Sequence, residues 1–151
     1  MDIINLKKTK NKEFYIDKVA FLEQELWNSN YKKDYIYTIQ KALYRSNYTI
    51  LLAIENQIPL GYIELDVFYS WDEKYSKYPI MKICGLYVTP SVRRQGIASQ
   101  LIKSAENYAK KLGCKQIASD YYEFNLNSAK LHKNLGFIET SKIVNVIKNI
   151  E

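Results

Sequence analysis

The chain has 151 residues, which fits one domain with its own core and is too short for two ordinary ones. Apolar residues make up 47% and charged residues 25%, and Tyr supplies 14 of the aromatic side chains, a composition that excludes a disordered or fibrous chain. A formal charge of +6 suits a nucleic-acid surface, an anionic ligand or solubility alone.

In chain order, Asp2 to Leu6 is predicted as a short edge strand. From Asn11, the spacing of Phe14, Val19, Leu22 and Leu26 predicts an amphipathic helix that ends near Asn28 to Asn30. A second helix is expected over Asp34 to Tyr44. Tyr48 to Glu55 and Leu60 to Phe68 are rich in β-formers and flank the turn residues Asn56 to Pro59, which predicts an antiparallel hairpin. Its second strand alternates Tyr62, Glu64 and Asp66 with Ile63, Leu65 and Val67, so an acidic, solvated face is expected there. After a polar loop from Tyr69 to Pro79, Ile80 to Thr89 is a strand halted by Pro90. Ile97 to Leu112 is a helix with Gly113 at its C-terminus. Lys115 to Ser119 is a short strand, Ser128 to Leu135 a helix stopped by Gly136, and Phe137 to Ile147 one or two closing strands. Neither a repeat nor a linker interrupts this order, and residues 1–151 are expected to form a single domain.

Several chemistries are excluded or made improbable by what the chain lacks. No apolar run reaches the roughly 18–20 residues of a membrane span, and the first residues have no signal-peptide core, so a cytoplasmic location without membrane association is expected. Cys84 and Cys114 have no CxxC neighbour and are expected to be buried free thiols. With His132 as the single histidine, a multi-His metal site is excluded and no metal is expected.

The most informative stretch is Thr89-Pro90-Ser91-Val92-Arg93-Arg94-Gln95-Gly96-Ile97-Ala98, where a strand ends in a basic, Gly-containing turn that runs into an amphipathic helix. The free N–H groups of a helix start, its dipole and a residue without a Cβ together favour an anion. Arg93 and Arg94 can add charge-assisted contacts to phosphate. An ordinary loop with two solvated arginines has the same residues, and neither the P-loop pattern nor GxGxxG is present.

RRQGIA resembles the (Arg/Gln)-x-x-Gly-x-(Gly/Ala) pyrophosphate loop of the GNAT N-acetyltransferase superfamily, and NSAKLHKNLGF is similar to its second signature. Over nearly the whole length, LWNSN, ICGLYVTPSVRRQGIA, IASD, LHKNLGFIET and IKNI resemble the short aminoglycoside 6'-N-acetyltransferases. The resemblance implies an α/β (α+β) fold, with a mixed, mostly antiparallel sheet of six to seven strands, about four flanking helices and a parallel pair splayed at the cofactor site. It implies acetyl-CoA as donor, a small-molecule amine as acceptor, and a homodimer in which a closing strand is exchanged or paired.

Residue by residue, the resemblance places the pyrophosphate on Arg93, Arg94, Gln95, Gly96, Ile97 and Ala98. The pantetheine arm falls on the backbone of Leu86, Tyr87 and Val88, with an N–H near Leu86 or Tyr87 polarising the thioester carbonyl. Asn125 matches an amide that contacts the arm. Because a free alkylamine is protonated at neutral pH, a carboxylate is expected at the acceptor end; Asp120 matches the acidic residue of the ASD motif, and Glu64 and Asp66 of the third strand are secondary candidates, expected to be solvated. An Asp capping a turn at a strand end is the alternative. His132 stands where many members carry a Tyr that protonates the departing thiolate; it is either such an acid or only a cofactor contact. Trp27, Asn30 and Trp71 match acceptor-pocket positions, although Trp27 could equally be core. Two family carboxylates are replaced, by Cys84 in the pocket and by Ser141.

Those departures keep other acceptors open, among them a polyamine, an amino sugar or a protein N-terminus, as well as a basic nucleic-acid module that lacks any recognisable motif. The charge distribution favours the enzyme. Residues 93–133 hold eight basic and three acidic side chains, whereas residues 13–81 hold seven basic and ten acidic ones. Such a split suits an anionic donor and a cationic acceptor.

Overall fold

Apolar positions spaced three and four apart build two helices on one face of a sheet, and a third helix covers the other face. In this computed structural model, which describes residues 1–69 and 79–150, the order is β1 (Asp2–Asn5), α1 (Lys12–Trp27), α2 (Lys32–Tyr44), β2 (Tyr48–Glu55), β3 (Ile58–Phe68), β4 (Ile80–Val88), α3 (Ile97–Lys111), β5 (Gln116–Ala118) and α4 (Leu126–Asn134). A single 3-10 turn, Pro90–Val92, lies between β4 and α3. The strands stand in the spatial order β1-β2-β3-β4-β5. All neighbouring pairs are antiparallel except β4 and β5, which run parallel and are joined by α3 as a crossover.

Covering both faces explains why β2 is buried along nearly its whole length. Ile50, Leu52 and Tyr62 pack with Ile16, Val19 and Leu22 of α1 and Ile39 and Leu43 of α2. Leu51, Ala53, Ile63 and Leu65 pack with Leu101, Ile102 and Ala105 of α3. The β2–β3 hairpin turns on Asn56 and Gln57, both at positive φ, as a two-residue hairpin turn of matching twist requires. At Gly61 an added Cβ would stand 2.5 Å from the Tyr87 carbonyl oxygen, so β3 and β4 approach each other in a way only glycine permits.

Three expectations are corrected. The described residues form five strands rather than six or seven, because 137–150 adopt no regular secondary structure. A strand needs a partner, and β5, only three residues long, offers this segment little edge to pair with; Ile143, Val144, Val146 and Ile147 are 69–95% exposed. Cys84 is exposed while Cys114 is buried. The cause is a bulge: Glu64 pairs with Gly85 and Leu65 with Ile83, so Cys84 is the unpaired extra residue. The 62–64–66 face is not solvated either. Tyr62 is 1% exposed and Glu64 is sheltered beneath α1 and α2. Among the described residues, no helix is long and apolar enough to cross a membrane.

Candidate active site

The parallel ladder between β4 and β5 holds three residue pairs, from Ile80 with Gln116 to Lys82 with Ala118. There it stops, although β4 continues to Val88. Leu86, Tyr87 and Val88 therefore stay paired to β3 while among the described residues no strand pairs with their opposite edge, and an extended amide-bearing chain can add to such an open edge.

The gap leads to the start of α3. Gly96 is its N-cap, at φ 81, with no side-chain cap and no acidic residue in the first turn. Nothing lies within 4 Å of the place a Gly96 Cβ would occupy. Positive φ at Arg94 and Gly96 is the kind of backbone alternation that gathers N–H groups into an anion-binding concavity. Arg93 is held in place: its Nε donates to the Val88 carbonyl at 2.8 Å, and its guanidinium lies 5.7 Å from the Tyr87 ring centroid. Arg94, Gln95 and Gly96 are exposed, Ile97 is buried in the core and Ala98 is partly covered. Glu25 of α1 accepts a hydrogen bond from the Thr89 hydroxyl at 3.0 Å, which ties α1 to this loop.

Beyond the gap, Asn125 is the N-cap of α4, its Oδ1 accepting from the Ser128 N–H at 3.1 Å. His132 is 6% exposed. Its Nδ1 lies 2.7 Å from the Ser128 carbonyl, which can only accept, so this network places the proton on Nδ1. Nε2 then accepts from the Ser119 hydroxyl at 2.8 Å. Tyr121 and Phe137 pack on the ring, each with its centroid 5.0 Å away.

At the other end of the bulge the charges are arranged differently from the sequence expectation. Asp120 is exposed and pairs with Lys82 of β4 at 3.1 Å. Cys84, though exposed, is partly desolvated by the neighbouring strands and lies near Asp66 and Glu64, and these effects raise its pKa, so it is not an activated thiolate. Asp66 is paired with Arg45. Trp27 is 63% exposed rather than core, Asn30 is exposed, and Trp71 lies outside the described residues.

Glu23 escaped sequence reasoning, and Glu64 entered it only as a secondary candidate expected to be solvated. Glu23 of α1 is 9% exposed and both its oxygens are acceptors, from the Tyr62 hydroxyl at 2.6 Å and from Trp27 Nε1 at 2.9 Å. Glu64 accepts from the Tyr48 hydroxyl at 2.9 Å. Burial first, and the nearby Glu23 second, push the Glu64 pKa up. Burial and the adjoining carboxylates raise Tyr48 and Tyr62 as well, so both phenols stay protonated donors. One signal for Glu23 was available: it continues the stripe Ile16, Val19, Ala20 at positions i+7, i+4 and i+3, a carboxylate on an apolar helical face.

Residues 13–137 match the acetyltransferase (GNAT) family. An aminoglycoside N(6')-acetyltransferase type 1 from Salmonella typhimurium is 25% identical over 144 residues, covering 95% of this chain and 96% of that protein. The protein of the same name from Acinetobacter haemolyticus is 31% identical over 130 residues, 86% of this chain and 89% of its own. The crystal structure of an aminoglycoside antibiotic 6'-N-acetyltransferase from Acinetobacter baumannii superposes with a TM-score of 0.83 at 26% identity, covering 99% of each chain. A splayed parallel pair feeding an uncapped, glycine-started helix, within a sequence that matches the family from α1 to the end of α4, has one meaning: this chain belongs to the acetyltransferase (GNAT) family and is an acetyl-CoA-dependent N-acetyltransferase.

Proposed function

We propose that residues 1–151 form one acetyltransferase domain that acetylates a primary amine of a small polycationic acceptor, of the aminoglycoside 6' type. The observation that carries this reading is the β4–β5 ladder that ends at Lys82 while β4 runs on to Val88. Near-full-length similarity to proteins named for that activity supports the acceptor class.

Bound acetyl-CoA supplies a thioester acetyl group for direct attack by the amine. In this proposal the open edge of Leu86, Tyr87 and Val88 takes the arm, and a backbone N–H at Leu86 or Tyr87 polarises the carbonyl. Arg93, Arg94, Gln95 and the first N–H groups of α3 at Gly96, Ile97 and Ala98 hold the pyrophosphate. Asn125 still has its amide nitrogen available for the arm, because capping uses only Oδ1. Asp120 binds the reacting amine, displacing Lys82, whose ion pair is exposed and therefore weak. His132 fixes the Ser119 hydroxyl at the end of β5, and the proton that the attacking amine loses passes through the Ser119 hydroxyl and Nε2 to the departing thiolate. Trp27, Asn30 and the Cys84 bulge line the acceptor side.

The protein is further inferred to act in the cytoplasm as a homodimer. The exposed apolar run Ile143, Val144, Val146 and Ile147 and the short β5 edge complement each other across two copies. Light scattering tests this: the full chain should be a dimer and a chain ending at Phe137 a monomer. Thiol release from acetyl-CoA with kanamycin tests the activity. Acetylation of other amines with none of kanamycin would leave the acetyltransferase in place and remove the aminoglycoside acceptor.

A further inference from the structure

The last rung of the parallel ladder pairs Lys82 with Ala118, so Lys82 stands where β4 and β5 part. Its neighbours Met81 and Ile83 pack into the core beneath α3, and alternation along the strand turns Lys82 to the opposite face, the one that carries α1 and α2. On the β3 side its register partner is Asp66, a carboxylate already paired with Arg45. On the β5 side it reaches Asp120, two residues beyond Ala118, with Nζ 3.1 Å from Oδ2. In the function proposed above, Asp120 holds the reacting amine. A primary ammonium of the chain itself therefore rests where the ammonium of an acceptor is to bind. The adjoining residue is Ser119, whose hydroxyl is 2.8 Å from His132 Nε2. The pair is accessible, with side-chain exposures of 40% for Lys82 and 70% for Asp120.

We propose that Lys82 is an internal acceptor: when no amine fills the acceptor side, the enzyme transfers the acetyl group of acetyl-CoA to its own Lys82 Nζ. The inference rests on the assignment of Asp120 to the reacting amine, because what brings an amine on Asp120 to the thioester brings Lys82 there too. The bulge at Cys84 helps. Lys82 and Leu86 lie opposite Asp66 and Ile63, only three β3 residues or about 10 Å apart, a distance that the flexible four-carbon stem and the acetyl thioester span together. In the step itself the ammonium first gives one proton to Asp120 or to water. Nζ then bonds to the acetyl carbon as the C–S bond breaks, and the second proton leaves nitrogen through Ser119 and His132 for the departing thiolate. The products are acetyl-lysine, CoA and one released proton. Acetyl-lysine is neutral and forms no ion pair, so the transfer frees Asp120 for a diffusing amine. Lys82 and the acceptor thus compete for one carboxylate, and self-transfer ends the competition.

The test incubates the full-length protein with acetyl-CoA and no acceptor, and scores each lysine for acetylation by peptide mass spectrometry. Lys32 is the internal control for uncatalysed acetylation, since it pairs with Asp17 at 2.7 Å and its side chain is 35% exposed, close to the state of Lys82. Lys82 is expected to be acetylated about tenfold faster than Lys32 or more, equivalent to about 1.4 kcal/mol in barrier, at a first-order rate that dilution does not change. D120N, a substitution at an exposed position, should bring Lys82 down to the rate of Lys32. Thiol release with kanamycin A and spermidine supplies the second readout. K82Q carries the neutral amide of an acetylated lysine and should lower KM for an amine the wild type uses by about two- to fivefold, the worth of an exposed ion pair. K82R keeps the charge and should not lower KM. Equal rates at Lys82 and Lys32 overturn the self-transfer, and so does an excess at Lys82 that persists in D120N. The Asp120 assignment is judged separately: it falls if D120N turns over either amine as well as the wild type does, and it stands if kcat/KM drops while Lys82 stays unmodified.

Discussion

Replacing Gly96 by Ala separates the anion role of the loop from its backbone strain, because the molecule contains an internal control. Gly96 has φ 81 and Gly113 has φ 77, and neither would bring an added Cβ within 4 Å of another atom. Each substitution therefore imposes only the cost of an L-residue in the left-handed region, about 1–2 kcal/mol. For a domain of this size that lowers Tm by about 2–8 °C, and the two variants should match. They differ in what the Cβ would meet when ligand is bound. At Gly96 it projects where a phosphate must approach the start of α3, whereas Gly113 closes the far end of the same helix. Calorimetry with acetyl-CoA should show affinity reduced about tenfold or more in Gly96→Ala, equivalent to about 1.4 kcal/mol, and unchanged in Gly113→Ala. Equal acetyl-CoA affinity in the two variants would refute the assignment of this loop to the pyrophosphate.

Gly61→Ala should destabilise by a different route, since its Cβ would stand 2.5 Å from a backbone oxygen of β4; a loss of about 1–3 kcal/mol in denaturant unfolding is expected, and a loss under about 0.5 kcal/mol would contradict the close strand approach. The raised pKa of Glu64 means that the folded state holds its proton more tightly than the unfolded chain, so the stability it contributes is full below about pH 4.5 and is lost as pH rises through the higher folded value. Glu64→Gln should accordingly gain Tm relative to wild type as pH is raised from 4.5 towards neutrality, and a difference independent of pH would refute this. His132→Phe keeps a ring between Tyr121 and Phe137 but breaks the bonds to Ser128 and Ser119, which should cost about 1–3 kcal/mol of stability and lower kcat at least tenfold; full kcat at saturating acetyl-CoA would take His132 out of the mechanism.

Much of the fold is written in local pattern. Strand β2 runs over the residues that its β-branched and apolar content marks, and the bounds of α3 follow from Gly96, Gly113 and the spacing of Leu101, Ile102, Ala105 and Ala109. The backbone of the 93–98 loop was legible for the same reason, since a glycine turn at a helix start is a continuous stretch of chain. The surroundings of Glu64 were not. Alternation at Tyr62, Glu64 and Asp66 separates the two faces of β3 without telling what covers each, and here α1 and α2 turn an apparent solvent face into a lined cavity. Glu23 and Glu64 are 41 positions apart and are brought together only by helix-on-sheet packing. Residues 137–147 have strand-like composition, but composition cannot supply a partner strand, and among the described residues the segment pairs with none.

Arg93 gives the loop a property that its charge alone would not. With Nε bonded to the Val88 carbonyl and its plane resting near the Tyr87 ring, the side chain gives up its rotamer freedom when the protein folds rather than when ligand arrives. An arginine that is already ordered loses little entropy on binding, so more of its attraction for an anion appears as affinity. A lysine at this position would carry the same charge yet could neither lie against Tyr87 as a plane nor anchor on Val88 through one nitrogen while others stay free for an anion. In the role proposed for the loop, arginine at 93 is favoured by shape and entropy as much as by charge.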